Sequence, residues 1–273
     1  MFSLSEPHRR VSSGLDESAS QRSRMKDWEI QLKGFEPIAL KELDGVKLLD
    51  RMDTKFVFRL EQLADVFRQM LPHYRALEIG GVRASRYETL YFDTDDFDLY
   101  TKHHRGKLNR HKLRYRRYVD SGLCFFEIKV KTNKGRTVKT RTQRKEIERH
   151  IQGSAEELLR VATPFAAGEM KPKLWVLYTR CTFAGKASQE RLTIDLDLRF
   201  AIGEAQAKFP KVVIAELKQD KSAADSPFTQ IMRTKRIREG GMSKYCFGVM
   251  HLYPEVKQNL FKENARYIKE LAT

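Results

Sequence analysis

The chain has 273 residues, 41% of them apolar, enough for a sizeable core in one large domain or two small ones. Its 52 Lys and Arg against 36 Asp and Glu leave a net charge of +16, which points to polyanionic partners such as nucleic acid, anionic membrane or phosphate-rich small molecules. The cysteines Cys124, Cys181 and Cys246 have no metal spacing and suit a reducing compartment, and neither an apolar run of roughly 18 residues nor a leader-like stretch in 1–27 is present, so a cytoplasmic protein is expected.

Residues 1–27 are rich in Ser, Arg and Glu without periodicity and predict a disordered arm ahead of a single domain, 28–273. TKFVFR (54–59) reads as a strand. Leu60, Leu63, Phe67 and Met70 recur at helical spacing and predict an amphipathic helix over 60–71, ended by Pro72. YETLYFDT (87–94) reads as a strand, and Asp93, Asp95 and Asp96 as a turn with helix N-capping rather than a metal loop. His103, His104 and His111 lack Cys or carboxylates at metal spacing and read as surface or phosphate-adjacent histidines.

HKLRYRRYVDSGLCFFEIKVK (111–131) alternates with period two around a Gly-containing turn and predicts a β-hairpin. Leu113, Tyr115, Cys124, Phe126, Ile128 and Val130 form its apolar face; Lys112, Arg114, Arg116, Tyr118, Glu127, Lys129 and Lys131 form the other. Arg117 falls on the apolar parity, which suggests a strand-edge exit or an outer ion pair. Strands are expected at 136–148, 173–183, 190–200 and 211–219, interrupted by a helix at 154–162 with Ser154 and Glu157 as its capping box. In 190–200, Leu192, Ile194, Leu196 and Leu198 share one face against Thr193, Asp195 and Asp197. Val256, Leu260, Tyr267 and Leu271 place a core-packing helical stripe in 256–271. With no βαβ rhythm, the class is α+β with a large antiparallel sheet or barrel.

For any one strand, this alternation equally describes a solvated sheet face. Across the set, Arg114, Arg116, Lys129, Lys131, Lys139 and Arg180 all fall in the charged rows, and Glu127/Lys129 and Glu216/Lys218 put acid and base two residues apart. A barrel with a helix-covered apolar exterior would gather them in one tunnel. Like charges there would repel strongly unless an anionic chain lay between them. No Gly-rich phosphate loop sits between a strand and a helix.

The ordered motifs DRMDTKFVF (Asp53-x-Lys55), YFDT (91–94), LRYRRY, FEIKVK, TVKTR, YTRCTF, RLTIDLDL (Asp195), IAELK and GMSKY resemble the VTC domain, the polyphosphate polymerase branch of the triphosphate tunnel (CYTH-like) superfamily, over roughly residues 30–250. The resemblance implies an antiparallel eight-stranded β-barrel tunnel with a charged interior, helices packed outside and a C-terminal helix. It implies that Lys55, Arg114, Arg116, Lys129, Lys139, Arg180 and Lys244 clasp phosphates. Tyr178, Ser243, Lys131 and Glu127 would contact substrate, and Glu216 would hold Mn²⁺ or Mg²⁺. Glu127 stays open between a metal-side role and an ion pair with Lys129 or Arg114. Two positions depart from the pattern. Arg51 stands where the superfamily's first acid would be, and Gly241 where some relatives carry a further Lys, with Lys235, Arg236 and Arg238 nearby.

The implied activity is transfer of the ATP γ-phosphate to a growing polyphosphate chain. A triphosphatase or nucleotide cyclase on the same tunnel is an alternative, as is a non-catalytic polyphosphate or inositol-phosphate binding module. Nucleic acid is not expected as a partner, because the cation rows carry few aromatics. Coupling to export would need partner proteins, including a membrane partner.

Overall fold

The computed structural model describes residues 27–44, 51–220, 226–241 and 243–272. Apart from Asp27, the expected N-terminal arm lies outside the described residues; a helix, α1, covers 27–33, and a short helix, α2, covers Leu40–Asp44. The strands are β1 (Glu36–Ile38), β2 (Arg51–Arg59), β3 (Tyr74–Leu77), β4 (Ala84–Asp93), β5 (Arg110–Tyr118), β6 (Cys124–Lys131), β7 (Thr137–Arg144), β8 (Lys171–Gly185), β9 (Glu190–Ile202), β10 (Ala205–Phe209) and β11 (Val212–Asp220). They form one 11-stranded sheet.

The eight expected strands are its main path, in the order β2-β11-β9-β8-β4-β5-β6-β7, antiparallel at every step. The others are side attachments, and β1 pairs with β3 in parallel. Among the described residues no ladder joins β2 to β7, so the wall is a curled open sheet rather than a hydrogen-bonded barrel. The free edge of β2 is covered instead by residues 239–240: Phe56 bridges Glu239, and Gly240 N–H donates to the Lys55 carbonyl at 2.9 Å.

Period-two alternation puts Phe56, Phe58, Phe183, Leu192, Ile194, Leu196, Val213 and Leu217 on one face. That face is covered by α1, by α3 (Leu63–Met70) and by α6 (Pro227–Thr234). α3 buries Leu63, Val66, Phe67 and Met70, the i, i+3, i+4, i+7 row of an amphipathic helix. Further along the same outer face, α5 (Ser154–Ala162) covers Leu113, Tyr115, Phe126 and Ile128 with Ala155 and Leu159. The capping box expected there is absent. Gly153, at φ 58°, takes the cap position, where a left-handed backbone favours glycine, and Ser154 Oγ accepts from Arg144 Nη1 at 2.8 Å.

Other helices lie on the inner face. α7 (Lys244–Leu252) packs Tyr245, Phe247 and Val249 against Leu174, Val176, Leu198, Phe200, Val212 and Ile214. Of these, Leu174, Val176, Val212 and Ile214 share strand parity with the cation rows, so α7 fills one end of the inner face. Leu198 therefore leaves the row of Leu192, Ile194 and Leu196. Asp197 between them takes φ 50° and the β8–β9 register slips there, which turns the rest of β9 over. The C-terminal helix α8 (Lys262–Ala272) closes this inner core with Ile268 and Leu271. Leu260 is 62% exposed, and Tyr267 instead donates its hydroxyl to the Val57 carbonyl at 2.9 Å, so the expected stripe holds only at Leu271 and, in part, Val256.

Asp93 caps as expected. Its carboxylate accepts the N–H groups of Leu99 and Tyr100 at the start of α4 (Asp98–His104), both at 2.8 Å, and the hydroxyl of Tyr245. The histidines are less exposed than expected. His104 is buried and its Nε2 accepts from Leu260 N–H; His111 is buried against Phe165. Burial, then the charges of Lys112 and Arg110, push the His103 imidazole down to about 2. No helix of the described residues is long and apolar enough to cross a membrane.

Candidate active site

Beyond the end filled by α7, the inner face carries the charged rows, organised around three carboxylates. On β5–β7, Glu127 is 1% exposed. Its Oε2 accepts from Arg114 Nε at 2.8 Å and lies 2.7 Å from Nη2, while Lys139 Nζ lies 2.5 Å from Oε1 and Arg116 3.8 Å from Oε2. Burial pushes this carboxyl up, but Arg114, Arg116 and Lys139 outweigh it and hold it well below the usual carboxylate range. Of the two ion-pair partners expected for Glu127, Arg114 pairs with it and Lys129 does not, and Lys139 shares the carboxylate.

On β8 and β9, Arg180 grips Asp195 in a two-pronged bond at 2.5 and 2.7 Å, and Lys244 at the start of α7 reaches the same carboxylate. Burial raises the Asp195 pKa, and Arg180 with Lys244 brings it down to about 2. On β2 and β11, Glu216 lies between Lys55 at 3.1 Å and Lys218 at 3.0 Å. Burial pushes Glu216 up, but Lys218, Lys55 and Arg180 keep it ionised far below its ordinary value.

Lys129 has no ion-pair partner among the described residues. Burial first, then the charge of Lys112, bring it down to about 8, while Glu216 and Asp53 pull it upward. The start of α7 bridges the cavity, with Ser243 on Lys112 of β5 and Lys244 on Asp195 of β9. Lys112 donates to Ser243 Oγ at 3.0 Å, and Ser243 caps α7 by accepting from Cys246 N–H at 3.2 Å, which leaves its own hydroxyl proton to donate. Tyr178 is buried between Arg180 and Lys244, 5.2 and 5.0 Å from its ring, and its hydroxyl has no hydrogen-bond partner. This leaves a buried donor free to bond a ligand or a water.

Lys55, Arg114, Arg116, Lys129, Lys139, Arg180, Lys244, Tyr178, Ser243, Glu127 and Glu216 thus meet on one face. Lys131 does not join them: its ammonium donates to the Gly135 carbonyl in the next turn at 2.7 Å. Lys235 pairs with Asp65 of α3 on the outer face, and Arg236 and Arg238 line a separate surface pocket with Phe56 and Ile237, so none of the three substitutes for a lysine at Gly241. The side chain of Arg51 lies outside the described part of the structure. Arg117 makes the outer ion pair, 2.6 Å from Glu88 on β4.

Four residues of the cavity were not among the sequence candidates: Lys112, Lys218, Tyr87 and Tyr91. Lys112 and Lys218 share strand parity with Arg114 and Glu216, and that was the available signal; β4, which carries Tyr87 and Tyr91, held no candidate to point to them. Tyr91 accepts from Arg114 Nη1 at 2.9 Å; burial pushes its phenol up, but Arg114, Arg116 and Lys112 bring it down to about 8. The rings also correct the expectation of few aromatics, because Tyr87 and Tyr178 stand directly under Arg180.

Divalent cations need hard oxygen donors, and the cavity offers Glu216, kept ionised, with Asp53 coupled to Lys218 beside it. Among the described residues no three His, Cys, Asp or Glu side chains gather as a metal cluster. The donor set fits a cation held jointly by Glu216 and the ligand's own phosphate oxygens, as Mg²⁺ commonly is, and not a preformed protein cage.

A curled antiparallel wall with cations converging on one cavity defines a polyanion-binding protein, and its nitrogen donors, with the hydroxyls of Tyr178 and Ser243, suit the oxygens of phosphate. The family model of the VTC domain matches residues 50–253, and the chain belongs to that family. No curated protein matches the chain. Among solved structures, a candidate adenylate cyclase from Vibrio parahaemolyticus is similar with a TM-score of 0.42 at 10% identity, over 71% of this chain and 95% of that one. HpAC1 from Hippeastrum, described as an adenylyl cyclase with a dominant triphosphatase activity, is similar at 0.47 and 16% identity, over 73% and 96%. The PH1012 protein of Pyrococcus horikoshii is similar at 0.38 and 13% identity, over 77% and 99%.

Proposed function

We propose that the chain is a metal-dependent phosphotransferase that moves the γ-phosphate of ATP onto the end of a polyphosphate chain held in the cationic cavity. The observation that carries this is the convergence of Lys55, Lys129, Lys139, Arg116, Arg180 and Lys244 on one face, with Tyr178 and Ser243 presenting hydroxyls among them. Membership of the VTC domain family supports a phosphate-handling tunnel enzyme.

Phosphoryl transfer asks for alignment and charge neutralisation more than for a protein nucleophile. Arg116 and Arg180 would fork phosphate oxygens, and the lysines would act as point charges that leave their carboxylates when the polyanion enters. A divalent cation shared by Glu216 and the phosphates would draw charge from the transferred group. An oxygen of the acceptor's terminal phosphate bonds to Pγ, the bond from Pγ to the β-bridging oxygen breaks, and ADP leaves with that electron pair. Above neutral pH this exchange neither takes up nor releases a proton, so no general base is needed. Hydrolysis by water would release one.

The test incubates the protein with ATP and Mn²⁺ or Mg²⁺ and sizes the product. Arg180→Ala removes a guanidinium from the reacting phosphates and is expected to lower turnover on the order of 100-fold, a typical loss for one preorganised charge contact. Phosphate or cyclic nucleotide as sole product would favour a triphosphatase or cyclase; tight triphosphate binding without turnover would favour a binding module.

A further inference from the structure

We propose that the rings of Tyr118 and Phe125, at the lip of the cationic cavity, form a stacking site for the base of a nucleoside triphosphate. The inference rests on the phosphate-binding function above and names the triphosphates it prefers.

An aromatic ladder crosses the inner face on adjacent strands. Tyr178 stacks on Tyr87 at 5.0 Å and 15°, Tyr87 meets Tyr118 at 4.9 Å, and Tyr118 meets Phe125 edge-on at 6.1 Å. The first two rings pack into the core beneath α7, whereas Tyr118 and Phe125 belong to no buried cluster and stay partly exposed. The outward neighbours on these strands differ: Tyr115 and Phe126 are fully buried under α5. The outer rings are core, and the inner pair is partly exposed aromatic surface beside the charged rows. Such surface is best covered by another π-system, which a phosphate chain lacks and a base supplies.

The placement suits one molecule reaching both features. Arg116 and Arg180 lie 5.6 and 5.2 Å from the ring of Tyr87, next to Tyr118, so phosphates gripped there leave the nucleoside beside the lip. Arg141 lies 4.5 Å from the Phe125 ring and adds a cationic stacking plane. Further along the same strands the paired row Lys112, Lys129 and Lys139 carries no ring. The cavity therefore has a direction, with the ring pair at one end of these strands and the lysine row at the other.

Calorimetry on the whole chain compares ATP, UTP and methyl triphosphate, which matches ATP in phosphate charge and has no base. ATP is expected to bind tighter than UTP, and UTP tighter than methyl triphosphate. Tyr118→Ala should weaken ATP by roughly 5- to 100-fold, the range of one lost base–aromatic stack, and leave methyl triphosphate unchanged, while Tyr118→Phe retains ATP affinity. Equal wild-type affinity for ATP and methyl triphosphate overturns the stacking site alone, as does Tyr118→Ala weakening both equally. If Tyr118→Ala fails to fold, the wild-type series decides. Failure of every triphosphate to bind overturns the phosphate-binding function as well.

Discussion

Glu127 is almost inaccessible, yet Arg114 and Lys139 close on it and Arg116 stands near. Glu127→Gln would leave those cations facing one another without their shared counter-charge. Breaking one side of a buried ion pair costs about 3–5 kcal/mol, and because Lys139 is 41% exposed and stays hydrated, the lower end is expected. Chemical denaturation measures the loss, and added tripolyphosphate should recover part of it. Lys129 gives a pH signature. With its pKa near 8 in the empty cavity, it is charged at pH 7 and largely neutral at pH 9, so triphosphate affinity should fall across that interval. Lys129→Arg, which cannot lose its proton, should make the fall shallower. The remainder belongs to the Tyr91 phenol, also brought down to about 8, so that Lys129→Arg with Tyr91→Phe flattens it, read by calorimetry in matched buffers. The stability term has its own sign. Because the folded pKa lies below the unfolded value of about 10.4, the unfolded chain holds more protons between pH 8 and 10, so this group's contribution rises with pH there. Parity in the sequence was enough to place Arg114, Arg116, Lys129 and Arg180 in one cavity. It could not separate Lys131, whose flexible ammonium turns back to the nearby Gly135 carbonyl, because alternation fixes a face and not where a long side chain ends.

The long strands and α5 follow from pattern because burial on one face imposes period two or 3.6. α7 does not. KYCFGVMHL is buried nearly all round, so it shows no polar face, and its inward position depends on a close approach to the sheet. A Cβ on Gly248 would meet Phe200 at 2.5 Å and Leu174 at 2.6 Å. Gly248→Ala gains about 1 kcal/mol of helix propensity but overpacks a contact where strain typically costs about 1–3 kcal/mol. Net destabilisation is expected in thermal melts. Turnover should fall further than stability explains, because the displaced helix carries Ser243 and Lys244 at its start. The turn in β9 was equally hidden: nothing in LTIDLDLRF distinguishes Asp197 from the strand residues around it, yet its left-handed backbone moves Leu198 to the other face.

For the whole molecule, the α+β class and the strands of the main path were legible, the strands largely from their own alternation, whereas their order along the sheet was not. The open seam between β2 and β7 was not, because closure depends on edge geometry and not on face pattern. Part of the net charge of +16 acquires a location: a curled wall that turns its cationic rows inward. The central claim is that this cavity transfers phosphate to a chain rather than to water. Its most direct test follows γ-labelled ATP with Mn²⁺ and the protein above neutral pH, sizing the labelled product while recording proton release. Transfer to a chain gives labelled polymer longer than a triphosphate, one ADP per phosphate added and no net proton, and Glu216→Ala loses the polymer while remaining folded. Labelled inorganic phosphate as the sole product, with one proton released per ATP, would contradict it.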